Sequence, residues 1–178
     1  MTEDDEQLRQ ALLRFRTDAA SSGDGRAQLA VRVDRGRHLT HHVSTASGQT
    51  LRIDEPTDFG GAGATPDPAE VLLGAIGASI SVTLTAYGAM REVSFDSVGV
   101  ALTASIDGRD FFRPGSGQPG LLDIRVTVDV QTSVPRHVVD ELMVDVVRTA
   151  PVLATLKTRP SVDLVYRGTV SSGSLGQR

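Results

Sequence analysis

The chain has 178 residues, enough for one domain with a buried core and no need of disulfides or metal clips. It contains no cysteine, which excludes disulfides, zinc fingers, iron–sulfur ligation and any thiol nucleophile. A net charge of −4, a pI near 5.5 and 4% aromatic residues with no Trp argue against a nucleic-acid or anionic-membrane binder.

Residues 1–6, Met-Thr-Glu-Asp-Asp-Glu, lack the basic start and apolar run of a secretory signal, and transit peptides avoid acids. A cytoplasmic location is therefore expected. Leu8, Leu12, Phe15 and Ala19 recur at helical spacing behind those acids, so 3–20 reads as an amphipathic helix docked on the domain. The Ser/Gly/Asp stretch 21–25 reads as a linker. The expected organisation is an appended segment 1–25, a domain at 26–168 and a flexible Gly/Ser-rich tail at 169–178.

Residues 27–34, 37–44 and 49–54 alternate as three strands of an antiparallel meander, with turns at Arg35-Gly36 and Ala46-Ser47-Gly48. A Gly/Pro-rich loop runs next, from Glu55 to Pro66. Asp67-Pro68-Ala69-Glu70 then places a capping Asp, a Pro at the first helical position and a Glu three residues after the cap. The helix it starts runs without a charge from Val71 to Met90 and stops at Arg91. Ser94–Asp107 and Leu122–Thr132 alternate as a strand pair with one solvated face; Ile124, Val126, Val128 and Val130 share the other. The connection 108–121 is a long loop. A helical stripe covers 135–149, Pro151 ends it and opens a short helix over 151–157, and Ser161–Arg167 reads as a final strand. The order is α+β with antiparallel sheets.

The uncharged helix 71–90 is long enough to span a membrane, but Ser79, Ser81, Thr83, Thr85 and Tyr87 make its second half too polar and no basic cluster flanks it. The expectation is a helix buried on all sides, with its own sheet covering one face and a second copy of the chain the other. Gly74, Ala75, Gly77, Ala78 and Ser79 are small enough to let another helix approach.

Two separated segments carry a family resemblance. Asp54-Glu55-Pro56, Gly60-Gly61 and the run from Pro66 through Ser79 to Leu84 resemble the OsmC/Ohr superfamily. Ala150-Pro151-Val152-Leu153-Ala154-Thr155-Leu156 resembles its second motif, in which Cys or Ser precedes Pro-Val. The match in element order extends over about 27–167. The resemblance implies an OsmC-like α+β fold, with antiparallel sheets around a long central helix, assembled as an intertwined homodimer. It implies a pocket at the dimer interface. Most members of the superfamily are thiol-dependent peroxidases of organic hydroperoxides, in which one cysteine attacks the peroxide and a second closes a disulfide.

Residue by residue, the attacking cysteine matches Ser79 and the resolving one matches Ala150. The family Glu matches Glu70, which also fits a purely structural capping role. The family Arg matches Arg37 on the early hairpin, with Arg52 as competitor. A serine hydroxyl is far less acidic than a thiol, and oxygen cannot cycle through sulfenic acid and disulfide. The thiol reaction is therefore closed to this chain.

Other chemistry finds less support. Gly77-Ala78-Ser79-Ile80-Ser81 is not a G-x-S-x-G elbow and lies inside a helix, where a serine commonly bonds a carbonyl one turn back. His38 and His42 share a strand face but lie roughly 13 Å apart, too far for one metal; His41 points the other way, and His137 opens a helix. Gly60-Gly61-Ala62-Gly63 before a helix could cradle an anion, yet Asp67 and Glu70 already occupy that end. No metal, cofactor, nucleic-acid or membrane partner is expected. The reading is a peroxidase-inactive homodimer that binds a small apolar or carboxylate-bearing ligand through Arg37, Arg52 and Ser79. The alternatives are an enzyme of non-thiol chemistry on the same scaffold and a structural or partner-binding homologue.

Overall fold

A computed structural model describes residues 3–21, 26–158, 160–165 and 167. The element order is α1 (Glu3–Ser21), β1 (Val31–Arg35), β2 (His41–Thr45), β3 (Thr50–Ile53), a 3-10 turn (Thr57–Phe59), α2 (Pro68–Met90), β4 (Ser97–Ile106), α3 (Arg109–Phe112), β5 (Leu121–Gln131), α4 (Arg136–Thr149) and α5 (Pro151–Thr158). The fold is α+β, as its sequence pattern implies. Two antiparallel sheets form, a meander β1-β2-β3 and a hairpin β4-β5.

The core lies on α2. Ile76, Ile80 and Leu84 recur every four residues, so they stack on one face of the helix. They bury against Leu142, Val146 and Ala150 at the α4–α5 junction, and the inward side chains of β4 and β5 close the layer. Val126, Val128 and Val130 face in while Arg125, Thr127 and Asp129 face water. Gly77 belongs to this side. A Cβ there would come within 2.8 Å of Leu102 Cδ1, so the missing side chain lets the hairpin close on the helix. A bulge interrupts the hairpin near Thr103–Ser105, opposite Asp123 at φ 53.

Within the one chain α2 is covered on one face, and Leu72, Gly74, Ala75, Ala78 and Val82 are exposed along a stripe of the other. Three expectations need correction. The second strand starts at His41 rather than at residue 37, because Gly36 N–H to Thr40 O (2.7 Å) and Thr40 N–H to Arg37 O (2.9 Å) close a turn that holds His38 at φ 50. His38 and His42 therefore share no strand face. The 108–121 loop contains the short helix α3. Asp110 shapes the turn after this helix by accepting from Gly115 N–H (2.7 Å) and Gly117 N–H (3.3 Å).

Finally, no strand forms at Ser161–Arg167: the described residues 161–165 and 167 are irregular, and Tyr166 lies outside the described residues. A strand needs a neighbour for its N–H and C=O groups. Among the described residues of the one chain this segment pairs with no strand, and Leu164 stays 96% exposed.

α1 lies across α2 and is tied to the turn beyond it. Ser94 Oγ donates to Asp5 (2.8 Å), and Arg9 pairs with Glu92 at 3.1 Å. The expected linker at 22–25 and tail at 169–178 lie outside the described residues.

Candidate functional site

Of the candidate residues, Ser79 and Ala150 meet at a junction of three helices, α2, α4 and α5. α2 begins with a complete capping box: Asp67 accepts from Glu70 N–H (2.8 Å), and Glu70 accepts from Asp67 N–H (3.0 Å). Glu70 is thereby engaged at the helix entrance. Nine residues on, Ser79 is half-buried. Its Oγ accepts a hydrogen bond from Val152 N–H at 3.2 Å. The expected bond to a carbonyl one turn back belongs to Thr83 instead, whose hydroxyl donates to Ser79 O at 2.7 Å.

The partner of that bond explains it. Ala150 is fully buried and carries no side-chain acceptor. Pro151, at the first position of α5, has no N–H. Val152 N–H is thus the leading donor of α5, and a helix leaves its first donors without internal partners. The Ser79 hydroxyl supplies from α2 the cap that position 150 lacks. α4 is fixed beside the junction. Tyr87 and Thr149 hydroxyls meet at 2.7 Å, Arg91 pairs with Asp145, and Lys157 Nζ donates to Val147 O at 3.1 Å.

Arg37 and Arg52 are not brought to Ser79 within the chain. Arg37 is exposed in the β1–β2 turn, and Arg52 is exposed on β3 opposite His42. Among the described residues, the meander that carries them packs chiefly on itself. His41 Nδ1 lies 2.8 Å from Leu39 O, and His42 faces Asp34 in register. Among the described residues, no group of three or more His, Asp and Glu is gathered for a metal.

Asp54 is a residue that sequence reasoning missed. It is 1% exposed, and the Gly60–Gly63 loop wraps around it. Its carboxylate accepts from Glu55 N–H (2.9 Å) and Ala62 N–H (3.0 Å). Burial pushes this carboxyl up. The N–H groups of Glu55, Ala62 and Ala64 and the Thr40 hydroxyl outweigh burial and hold it below the usual carboxylate value. The loop does cradle an anion, but the anion is the protein's own side chain. Gly61 has to be glycine, since a Cβ would lie 1.8 Å from Glu55 O. The available signal was an acid at a strand end before paired glycines.

A model of OsmC-like proteins matches residues 60–165. The chain belongs to the OsmC-like family. Solved structures agree in fold. The chain is similar to an OsmC-like protein from Mycoplasma pneumoniae with 14% identity and a TM-score of 0.63, covering 74% of this chain and 89% of that one. An OsmC-like protein of unknown function from Vibrio cholerae gives 9% identity and a TM-score of 0.59, covering 75% and 96%. An organic hydroperoxide resistance protein from Legionella pneumophila gives 15% and 0.55, covering 74% and 90%. No curated protein matches the chain. The sequence of this OsmC-like protein has no cysteine at position 79, at position 150 or elsewhere.

Proposed function

We propose that this OsmC-like protein is a cytoplasmic homodimer that has lost the peroxidase reaction and binds a small apolar or carboxylate-bearing molecule at its subunit interface. The observation that carries this reading is the bond from Val152 N–H to Ser79 Oγ, beside Ala150, whose methyl group offers no acceptor. Reducing a hydroperoxide to an alcohol requires a group that accepts the peroxide oxygen and gives up two electrons. A thiolate does this by becoming a sulfenic acid; a hydroxyl oxygen cannot. Here the oxygen serves as a helix cap.

The dimer is supported by three apolar surfaces left open in the single chain. They are the stripe of small and apolar residues on α2, the Val31–Val33 face of β1, and Val162, Leu164 and Val165 of the irregular segment 161–165. Large exposed apolar surface on one chain marks an interaction site. In this assembly the partner's meander lies against the α2 stripe, and Arg37 or Arg52 reaches the ligand from there. Residues 26–168 form the unit that dimerises, and 1–25 is an appendage docked through α1.

Light scattering at micromolar concentration is expected to give twice the 18.8 kDa mass of one chain. A single-chain mass overturns the interfacial pocket. The protein is expected to consume no cumene hydroperoxide with a dithiol reductant, and measurable turnover overturns the loss of activity. The double substitution Ser79→Cys, Ala150→Cys is expected to restore some turnover if the pocket geometry is kept.

A further inference from the structure

A second site lies at the start of α2, away from Ser79. We propose that the cavity beside the α2 entrance binds a small hydrophobic cation, an ammonium carried on an aryl or alkyl body. The cavity measures about 430 Å³, within the range of small-molecule sites. Its apolar walls include Phe59, Phe111 and Ile106, and its charged lining is Glu55, Asp58 and Asp67. Among the described lining residues none is basic. None of the residues proposed for the interfacial ligand lines it, so this inference does not rest on that reading.

Two independent features converge there. The first is aromatic. The chain has five Phe and no Trp, and three of the five meet at this spot. Phe59 and Phe111 stack edge to face at 5.3 Å, and Phe112 lies 5.9 Å and 5.1 Å from them. Phe111 and Phe112 are 72% and 75% exposed, so this cluster is turned to water rather than to the core. It joins the 3-10 turn to α3, two segments distant in sequence.

The second feature is charge. Three acidic residues line one small, largely apolar space, and the described lining holds no basic residue beside them. Arg109, the nearest guanidinium in sequence, is held in a fork by Asp107 at 2.8 Å and 2.6 Å. Asp67 already answers the positive end of α2 through Glu70 N–H. Burial and then the nearby Asp67 and Asp54 carboxylates push the Glu55 carboxyl up, and His41 opposes them. A cation between the carboxylates relieves their repulsion, and its attached apolar body covers the Phe rings. Aromatic faces attract cations, while a carboxylate ligand is repelled.

The test is a calorimetric titration with phenethylammonium, 2-phenylethanol and 3-phenylpropionate. Saturable binding of the amine is expected, at least tenfold tighter than the alcohol, with the acid weakest. Glu55→Gln is expected to lower amine affinity at least fivefold and leave the alcohol unchanged. Phe111→Ala is expected to weaken both. Asp58→Asn, on the exposed 3-10 turn, gives a second charge probe if Glu55→Gln disturbs the loop. Equal or better binding of the alcohol or acid overturns the proposal. So does an unchanged amine affinity in both charge variants. If Phe111→Ser with Phe112→Ser converts a dimer to a monomer, the patch is a subunit contact and the proposal also fails.

Discussion

The β4-β5 hairpin and the β1-β2-β3 meander are both antiparallel, and both alternate in sequence. Their surroundings differ. Every second residue of β5 turns Val126, Val128 and Val130 toward α2 and the buried cluster of Ile76, Leu84 and Leu142. β1 has no buried face: Val31 and Val33 are exposed along with the residues between them, and Leu51 on β3 is open too. Alternation states that a strand has an apolar side. It does not state whose core that side joins. The hairpin's core is its own, and the meander's apolar side stays open in the single chain.

The comparison can be broken most strongly at the helix under the hairpin. Leu84→Ala is expected to cost about 2–5 kcal/mol in urea unfolding, since it empties a fully buried site. Leu51→Ala is expected to cost about 0.5 kcal/mol or less in a dilute monomer. If the two cost the same, the meander has a core within the chain. Next is Val33→Asp. It is expected to weaken the proposed dimer by more than about tenfold, or about 1.4 kcal/mol, in sedimentation, because it would place a charge in the proposed apolar contact. The monomer should stay folded.

Ser79→Ala leaves the Val152 N–H without its acceptor and is expected to cost about 1–3 kcal/mol. Asp67→Ala removes one half of the capping box and is expected to cost about 1 kcal/mol. The smallest effect belongs to the meander. Its exposed Arg32 donates two hydrogen bonds to Asp34, and this contact holds the Asp34 carboxyl below its ordinary value of 3.8. What this pair adds to stability is present above the unfolded carboxylate pKa and is lost as pH falls through the lowered folded value. Arg32→Ala is expected to raise the Asp34 titration midpoint read by NMR, with no measurable change in melting at neutral pH.

Local chemistry made much of this fold legible. Asp67-Pro68-Ala69-Glu70 specifies the start of α2 in four residues, because a capping box is built from neighbours alone. The faces of β5 come from a period of two. What escaped depends on distant parts of the chain. Ser161–Arg167 has the pattern of a strand, but pattern does not supply the adjoining strand that hydrogen bonding needs. α3 hides among Pro and Gly because its Phe side chains rest on Phe59, about 50 residues earlier, rather than on a helical stripe. At the site, positions 79 and 150 could be read by resemblance. The bond that unites them could not, since Ser79 meets a backbone N–H 73 residues away.

That bond also bears on the order in which the chain folds. α5 has only eight residues, too few to persist as a helix in isolation. Its leading donor is satisfied only after α2 exists and has come alongside, so closing that loop is a late event with a large entropic cost. α2 carries its own initiation signal and can form early. The native state should therefore open from α5 first, with its amides exchanging with deuterium through a local fluctuation while those of α2 wait for global unfolding. The position that the family resemblance matches to a reactive thiol serves in this chain as the latch on a helix too short to stand alone.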